Sequence, residues 1–264
     1  MRRKGQNFLV DTQVIERIAD YAEIIPEDRV LEIGPGTGNL TEVISSRAGE
    51  AVAIEVDPAL AANLLGRFDN VQVVLNDALK VDLSSFSCNK IVSNLPYQIS
   101  SKITFKIVRI PFDLAVLMYQ REFARKMIAR PGSEDYGRIP VVVQHFCQVE
   151  ILEAVPRTAF RPIPEVQSAI VRLKPRLEKP DIDDGLFMKL AEGLFNNRRK
   201  KVKKALVAMG VPINEIFLKD VSTIGSSGTD APKACESMMN KRPEDLLLEE
   251  IEKLTEIVHD INSA

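Results

Sequence analysis

Short runs of aliphatic and β-branched residues recur along the first part of the chain. They are Val30-Leu31-Glu32-Ile33, Ala51-Val52-Ala53-Ile54, Val71-Gln72-Val73-Val74-Leu75 and Lys90-Ile91-Val92-Ser93. Runs of this length without strict alternation read as strands buried on both faces, the mark of a parallel sheet. Leu114 to Met118 makes a fifth. Between them the period shifts to that of helices. Asp11 or Thr12 can cap a helix with Val14, Ile15, Ile18 and Tyr21 inward, and Leu40, Val43 and Ile44 mark the next. Residues 119–130 read as a helix, basic on one side through Arg121, Arg125, Lys126 and Arg130. Residues 132–138 are a polar loop, and the apolar stretch 139–146 suits either helix or strand. Val149-Glu150-Ile151-Leu152 and Ser168 to Leu173 form a plausible hairpin.

After the proline- and charge-rich residues 175–180 the strand pattern stops. Leu186, Leu190, Leu194 and Phe195 mark a helix that the spacing carries on through Lys204, with Val202, Ala205 and Leu206 on its apolar side and Gly210-Val211-Pro212 as its stop. Residues 225–230 read as a flexible loop. Arg242-Pro243-Glu244-Asp245 opens a last helix bearing Leu246, Ile251, Leu254, Ile257 and Val258. The pattern predicts a Rossmann-like α/β domain over residues 1–178 and a small α-helical domain over 179–264.

Composition narrows the function. With 264 residues and 45% hydrophobic content the chain can bury a sizeable core. A formal charge of −2 provides no global basic field, so nucleic acid would have to be met by a local patch. Cys88, Cys147 and Cys235 are few, distant and odd in number, which suits a reducing compartment. His145 and His259 are too few for a histidine-rich metal site. No apolar run approaches a membrane span. The reading is a soluble cytoplasmic protein, a monomer, with no metal.

The strand ends carry the chemistry. Gly34-Pro35-Gly36-Thr37-Gly38 follows the first strand and lets backbone approach a ligand. A dinucleotide fingerprint would want a third glycine at position 39, which is Asn39, and that argues against pyrophosphate. Glu55 ends the second strand, spaced to accept from ribose hydroxyls. Asp77 follows the third and can accept from an adenine amine. Asn94-Leu95-Pro96-Tyr97 follows the fourth: an amide oxygen, a carbonyl aimed by the proline, and a flat ring suited to an aromatic amine. In Phe160-Arg161-Pro162-Ile163-Pro164-Glu165-Val166 the alternate prolines make a stiff extended loop, with Phe160 either an exposed aromatic at its start or a cover for the core.

The ordered set of motifs resembles the ribosomal RNA adenine dimethyltransferase family, which uses S-adenosylmethionine. The resemblance is carried by Gly5-Gln6-Asn7-Phe8-Leu9, Glu32-Ile33-Gly34-Pro35-Gly36-Thr37-Gly38, Glu55, Asn76-Asp77-Ala78, Asn94-Leu95-Pro96-Tyr97, residues 160–168 and Phe195-Asn196-Asn197-Arg198-Arg199-Lys200. It is nearest to the ribosome-biogenesis branch that dimethylates adenosines of small-subunit RNA within a pre-ribosomal subunit. The resemblance implies cofactor contacts from Asn7, Leu9, Gly34, Glu55, Asp77 and Asn94. It also implies a target site at Asn94, Leu95, Pro96 and Tyr97, with Phe160 completing a sandwich around an extruded base. Arg198, Arg199, Lys200, Lys203 and Lys204 are the expected phosphate contacts. A methyl donor that is already a sulfonium requires no metal. Two alternatives stay open: a resistance-type large-subunit RNA methyltransferase, and an RNA-binding assembly factor whose methylation is secondary.

Overall fold

The computed structural model describes residues 7–213 and 231–263. The expected Gly5-Gln6 start of the leader motif and the loop at 225–230 lie outside the described residues. The chain forms two compact units, one of residues 1–128 with 146–176, the other of 129–145 with 177–264. The sequence pattern suggested one boundary near 178. In the structure the second unit also takes in a segment from the middle of the chain, because the ambiguous stretch at 139–146 is a helix with an apolar face.

The first unit is built on seven strands: β2 (Arg29–Ile33), β3 (Glu50–Glu55), β4 (Val71–Leu75), β5 (Lys90–Asn94), β6 (Leu114–Gln120), β7 (Cys147–Val155) and β9 (Ser168–Pro175). Their order is β4-β3-β2-β5-β6-β9-β7. The first five run parallel, and β9 lies antiparallel between β6 and β7. The late hairpin is therefore real, with its second strand inserted inward. Parallel strands need crossovers. Three of the four are α2 (Asn39–Arg47), α3 (Pro58–Leu64) and α4 (Ser100–Ile107), and the connection from β4 to β5 carries the 3₁₀ turn Leu83–Phe86. The strand order reverses between β2 and β5. A crevice opens there at the carboxyl ends of the strands, the usual ligand position in such sheets.

Burial explains the apolar runs. Leu31, Val52, Ile91 and Val116 are 0% exposed, whereas edge strand β4 is only partly covered. Strand β6 runs two residues past the expected Met118. Tyr119 is a buried strand residue whose hydroxyl meets the Thr104 hydroxyl at 2.8 Å and whose ring stacks on Phe123. Helix α5 covers only Arg121–Met127. The leader is anchored at both ends. Asp11 caps α1 (Thr12–Tyr21) by accepting from the Gln13 and Val14 amides. Before it, β1 (Phe8–Leu9) pairs antiparallel with β8 (Phe160–Arg161).

The second unit contains α6 (Arg138–Phe146), α7 (Asp184–Asn196), α8 (Val202–Ala208), α9 (Ala231–Asn240) and α10 (Leu248–Asn262). Phe187, Leu190 and Leu194 of α7 are buried with Ile251, Leu254 and Val258 of α10. His145 lies wholly inside, stacked on Phe187 at 3.8 Å and 2.8 Å from the Glu252 carboxylate. The single long helix expected through Lys204 is two helices. Asn197 turns its amide back onto the Gly193 carbonyl, and Lys201 is extended. Arg198 pairs with Glu244, and the Val202 amide leaves the helical pattern to donate to the Lys241 carbonyl at 2.9 Å. The last helix also starts later than expected. Residues 243–245 form one 3₁₀ turn, and α10 begins after Leu247, whose amide donates to Glu250. Among the described residues no helix is long and apolar enough to cross a membrane.

Candidate active site

A cavity of about 270 Å³ lies at the carboxyl ends of β2 to β5, within the first unit. All six residues expected to touch a cofactor line it: Asn7, Leu9, Gly34, Glu55, Asp77 and Asn94. So do Leu95, Pro96 and Tyr97. Their convergence follows from register. Ile33 of β2 sits beside Ile54 of β3, and Glu55 beside Leu75 of β4, so the residues after each strand emerge at one level.

The glycines of the first turn are there for space and for backbone conformation. Gly34 has φ +72°, and a Cβ on it would come within 3.1 Å of the Pro96 ring. Gly36 has φ +60°, and a Cβ there would meet the Phe8 ring at 2.9 Å. Side chains at either place would be strained and would push apart the walls of the cavity. Asn39, the misfit to a dinucleotide fingerprint, has its own task. Its side-chain amide donates to the Leu9 carbonyl at 2.8 Å and ties the leader strand over the pocket.

Glu55 is held ready. It is 4% exposed. One carboxylate oxygen accepts from the Val56 and Asp57 amides, both at 2.9 Å, and the other from Gly36 at 3.1 Å. Three backbone donors fix the carboxylate and leave Oε2 a lone pair for a ligand hydroxyl. Asp77 uses Oδ1 to accept from the Leu79 amide at 2.9 Å. The turn that carries it is pinned by Lys106 of α4, whose ammonium donates to the carbonyls of Ala78, at 2.9 Å, and Val81. Asn94 is half-buried at the end of β5, and among the described residues its side-chain amide has no hydrogen-bond partner. That leaves its oxygen available. These features suit an adenosine group carrying a flat ring, two vicinal hydroxyls and an amine.

Tyr97 begins a 3₁₀ turn and lines the cavity. Its hydroxyl lies 2.6 Å from the Ser168 hydroxyl, and burial pushes its pKa up. Phe160 does not sit with it as an exposed face. It is 0% exposed, in the core cluster with Ile15, Val155 and Ile170. The expectation of an exposed stacking ring there is corrected. Pairing of β8 with β1 turns the Phe160 side chain inward, and it supports the loop from beneath.

The basic residues lie in the second unit and are not equivalent. Arg198 is engaged, 2.7 Å from Glu244 and 3.0 Å from the Glu134 carbonyl. Arg199, Lys200, Lys203 and Lys204 are exposed in the turn before α8 and on its first turn.

The residue types alone did not single out Glu32, Lys106 or Ser168 as site residues. A charge in the middle of the apolar run Val30 to Ile33 was the available signal for Glu32. Nothing local marks Lys106 or Ser168, whose partners are distant in the chain.

The model of the family described as "Ribosomal RNA adenine dimethylase" matches residues 1–227. A protein of Methanosarcina mazei named "Probable ribosomal RNA small subunit methyltransferase A" is 42% identical over 262 residues, covering 98% of this chain and 93% of that one. A crystal structure of a dimethyladenosine transferase from Plasmodium falciparum superposes with a TM-score of 0.77 at 27% identity, covering 97% of this chain and 98% of that one. The crystal structure of the 23S rRNA methyltransferase ErmE gives a TM-score of 0.61 at 30% identity, covering 94% and 99%.

Proposed function

The chain belongs to the ribosomal RNA adenine dimethylase family, and we propose that the cavity at the ends of β2 to β5 is where its two substrates meet. It is an S-adenosylmethionine-dependent enzyme that dimethylates the exocyclic amine of adenosines in small-subunit ribosomal RNA. The observation that supports this placement is the meeting of Glu55, Asp77, Asn94 and Tyr97 in the lining of one cavity.

In this reading Glu55 accepts from the ribose hydroxyls of the donor and Asp77 from its adenine amine. Asn7, Leu9 and Gly34 close around the remainder. When bound, S-adenosylmethionine supplies a methyl already activated on sulfur. The acceptor is the difficulty, because the adenine amine lone pair is delocalised into the ring. Hydrogen bonds from that amine to the Asn94 oxygen and the Leu95 carbonyl favour a pyramidal nitrogen and hold it in line, which is catalysis by positioning. The bound donor would supply the methyl, and the amine held by Asn94 and Leu95 would give up one proton to solvent for each methyl gained. The remaining N–H stays bonded for the second transfer. Tyr97 supplies the stacking face for the extruded base.

The exposed Arg199, Lys200, Lys203 and Lys204 serve as phosphate contacts, and Arg198 braces the turn that presents them. The substrate is a pre-ribosomal small subunit in the cytoplasm, and the enzyme acts as a monomer. The test is incubation with labelled methyl donor and separated unmethylated subunits, followed by mass spectrometry of the digested RNA. Dimethyladenosine in small-subunit RNA is expected. Label confined to large-subunit RNA would move the chain to the resistance-type branch. A product that stops at monomethyladenosine with excess donor, or a methyl on cytosine or guanine, would overturn the chemistry.

A further inference from the structure

Glu32 is the least expected side chain in the cavity. It sits on the central parallel strand β2 between Leu31 and Ile33, and it is 2% exposed. Yet it lines the same cavity as Glu55 and Asn94. A buried carboxylate is costly without a cation, and among the described residues no lysine, arginine or histidine pairs with it. Its hydrogen-bond partner there is the Thr41 hydroxyl of α2, 2.6 Å from Oε2. From β3, uncharged Ala53 lies opposite, and Glu55 at the strand end adds a like charge. From β5, the Ser93 hydroxyl is committed to the Ile33 carbonyl at 2.6 Å. Asp77 stands on the cavity wall beyond β4, and among the described residues the titratable ones lining the cavity are Glu32, Glu55, Asp77 and Tyr97. Burial pushes the Glu32 carboxyl up to about 8, against the Thr41 hydrogen bond and with help from Glu55.

The ligands differ in the property this arrangement senses. The methyl donor carries a positive sulfonium, and the product left after transfer is a neutral thioether. Resting on the reading that this cavity takes S-adenosylmethionine, we propose that Glu32 is a specificity-determining residue that distinguishes donor from product by charge. In the ligand-free pocket it holds a proton. When a sulfonium enters, the O–H bond breaks, the proton passes to solvent, and a buried carboxylate faces a cation. When the methyl has left, the cation is gone, the carboxylate takes a proton back from solvent, and the product is held less tightly. No change of oxidation state is involved.

The test is calorimetric titration of the full chain with S-adenosylmethionine and with S-adenosylhomocysteine. It is run in buffers of different ionisation enthalpy, between pH 6 and 9. The ligands' own amines titrate too, so the readout is the difference between wild type and Glu32→Gln, which keeps the shape and can still accept from Thr41. Wild type is expected to release more protons with the donor than with the product. Its donor affinity should rise by up to about tenfold per pH unit below the Glu32 pKa. Glu32→Gln should lose both effects and bind donor and product with a ratio at least about fivefold closer to one.

Should Glu32→Gln fail to fold, Thr41→Val serves instead. It removes the hydrogen bond that favours the carboxylate and should move the proton-linked rise to higher pH. Equal proton release with both ligands, or a donor-to-product ratio unchanged in Glu32→Gln or a pH profile unmoved in Thr41→Val, would overturn the proposal. In that event tight donor binding would leave the cavity assignment standing. Failure of both ligands to bind wild type would refute the cavity assignment itself.

Discussion

The hydroxyl pair Tyr97–Ser168 separates two roles that one side chain plays. Its oxygens are 2.6 Å apart, and Ser168 is 0% exposed at the start of β9. Tyr97→Phe keeps the ring and leaves the Ser168 hydroxyl buried without its partner. An orphaned buried hydroxyl costs about 1–3 kcal/mol, whereas the net value of a neutral hydrogen bond is about 0.5–1.5 kcal/mol. Tyr97→Phe should therefore destabilise by about 1–2 kcal/mol, and Ser168→Ala by less, because the half-buried Tyr97 hydroxyl can find water. The double variant should be less destabilised than the sum of the two, with a coupling of about 1 kcal/mol.

Activity should follow a different order. If the ring stacks on the target base, Tyr97→Phe and the double variant keep most of kcat/KM on ribosomal subunits. Tyr97→Ala should lose about 1–3 kcal/mol of transition-state stabilisation. The assay pairs urea denaturation with methyl transfer at saturating donor for wild type and the four variants. Equal losses of activity in Tyr97→Phe and Tyr97→Ala would refute the stacking role. Strict additivity of the two stability changes would refute the hydrogen bond.

Four other outcomes are expected. Asn94→Ala should cut turnover far more than RNA affinity, since its oxygen aligns one amine while affinity resides in phosphate contacts; equal losses in kcat and in RNA binding would count against it. Glu55→Ala should weaken donor binding by about 1–3 kcal/mol in calorimetry, because a ligand loses its acceptor and the amides of Gly36, Val56 and Asp57 lose theirs. Replacing Lys203 and Lys204 by Gln should flatten the log–log salt dependence of RNA binding by nearly one unit per lost contact, while Arg198→Gln should act mainly on stability through Glu244; an unchanged slope would make the basic turn a solvated surface. Finally, Glu32 is raised from 4.5 to about 8 on folding, so between those values the native state binds more protons than the unfolded chain. Its contribution to stability is fully present below about 4.5 and lost as pH rises through about 8. Glu32→Gln should remove that part of the pH dependence in denaturation curves.

The parallel sheet was legible in the sequence because its strands are buried on both faces, and burial on both faces writes itself as unbroken aliphatic runs such as Ala51 to Ile54. The cavity-lining residues at the strand ends were legible for a related reason. Glu55, Asp77 and Asn94 each follow such a run, and a parallel sheet brings all strand ends of one polarity to one edge. Capping by Asp11 was local and equally visible. What stayed hidden depends on partners far along the chain. Phe160 turned inward because β8 pairs with β1, some 150 residues earlier, and no local pattern records that pairing. The expected basic helix ends at Asn196, and Arg198 beyond it pairs with Glu244, while residues 129–145 belong to the second unit, where His145 meets Asp184 and Glu252 and Tyr136 meets Phe195. Glu32 shows the limit most clearly. Its identity is in the sequence, but its proton depends on how much solvent the folded chain removes from around it, and only the assembled cavity decides that.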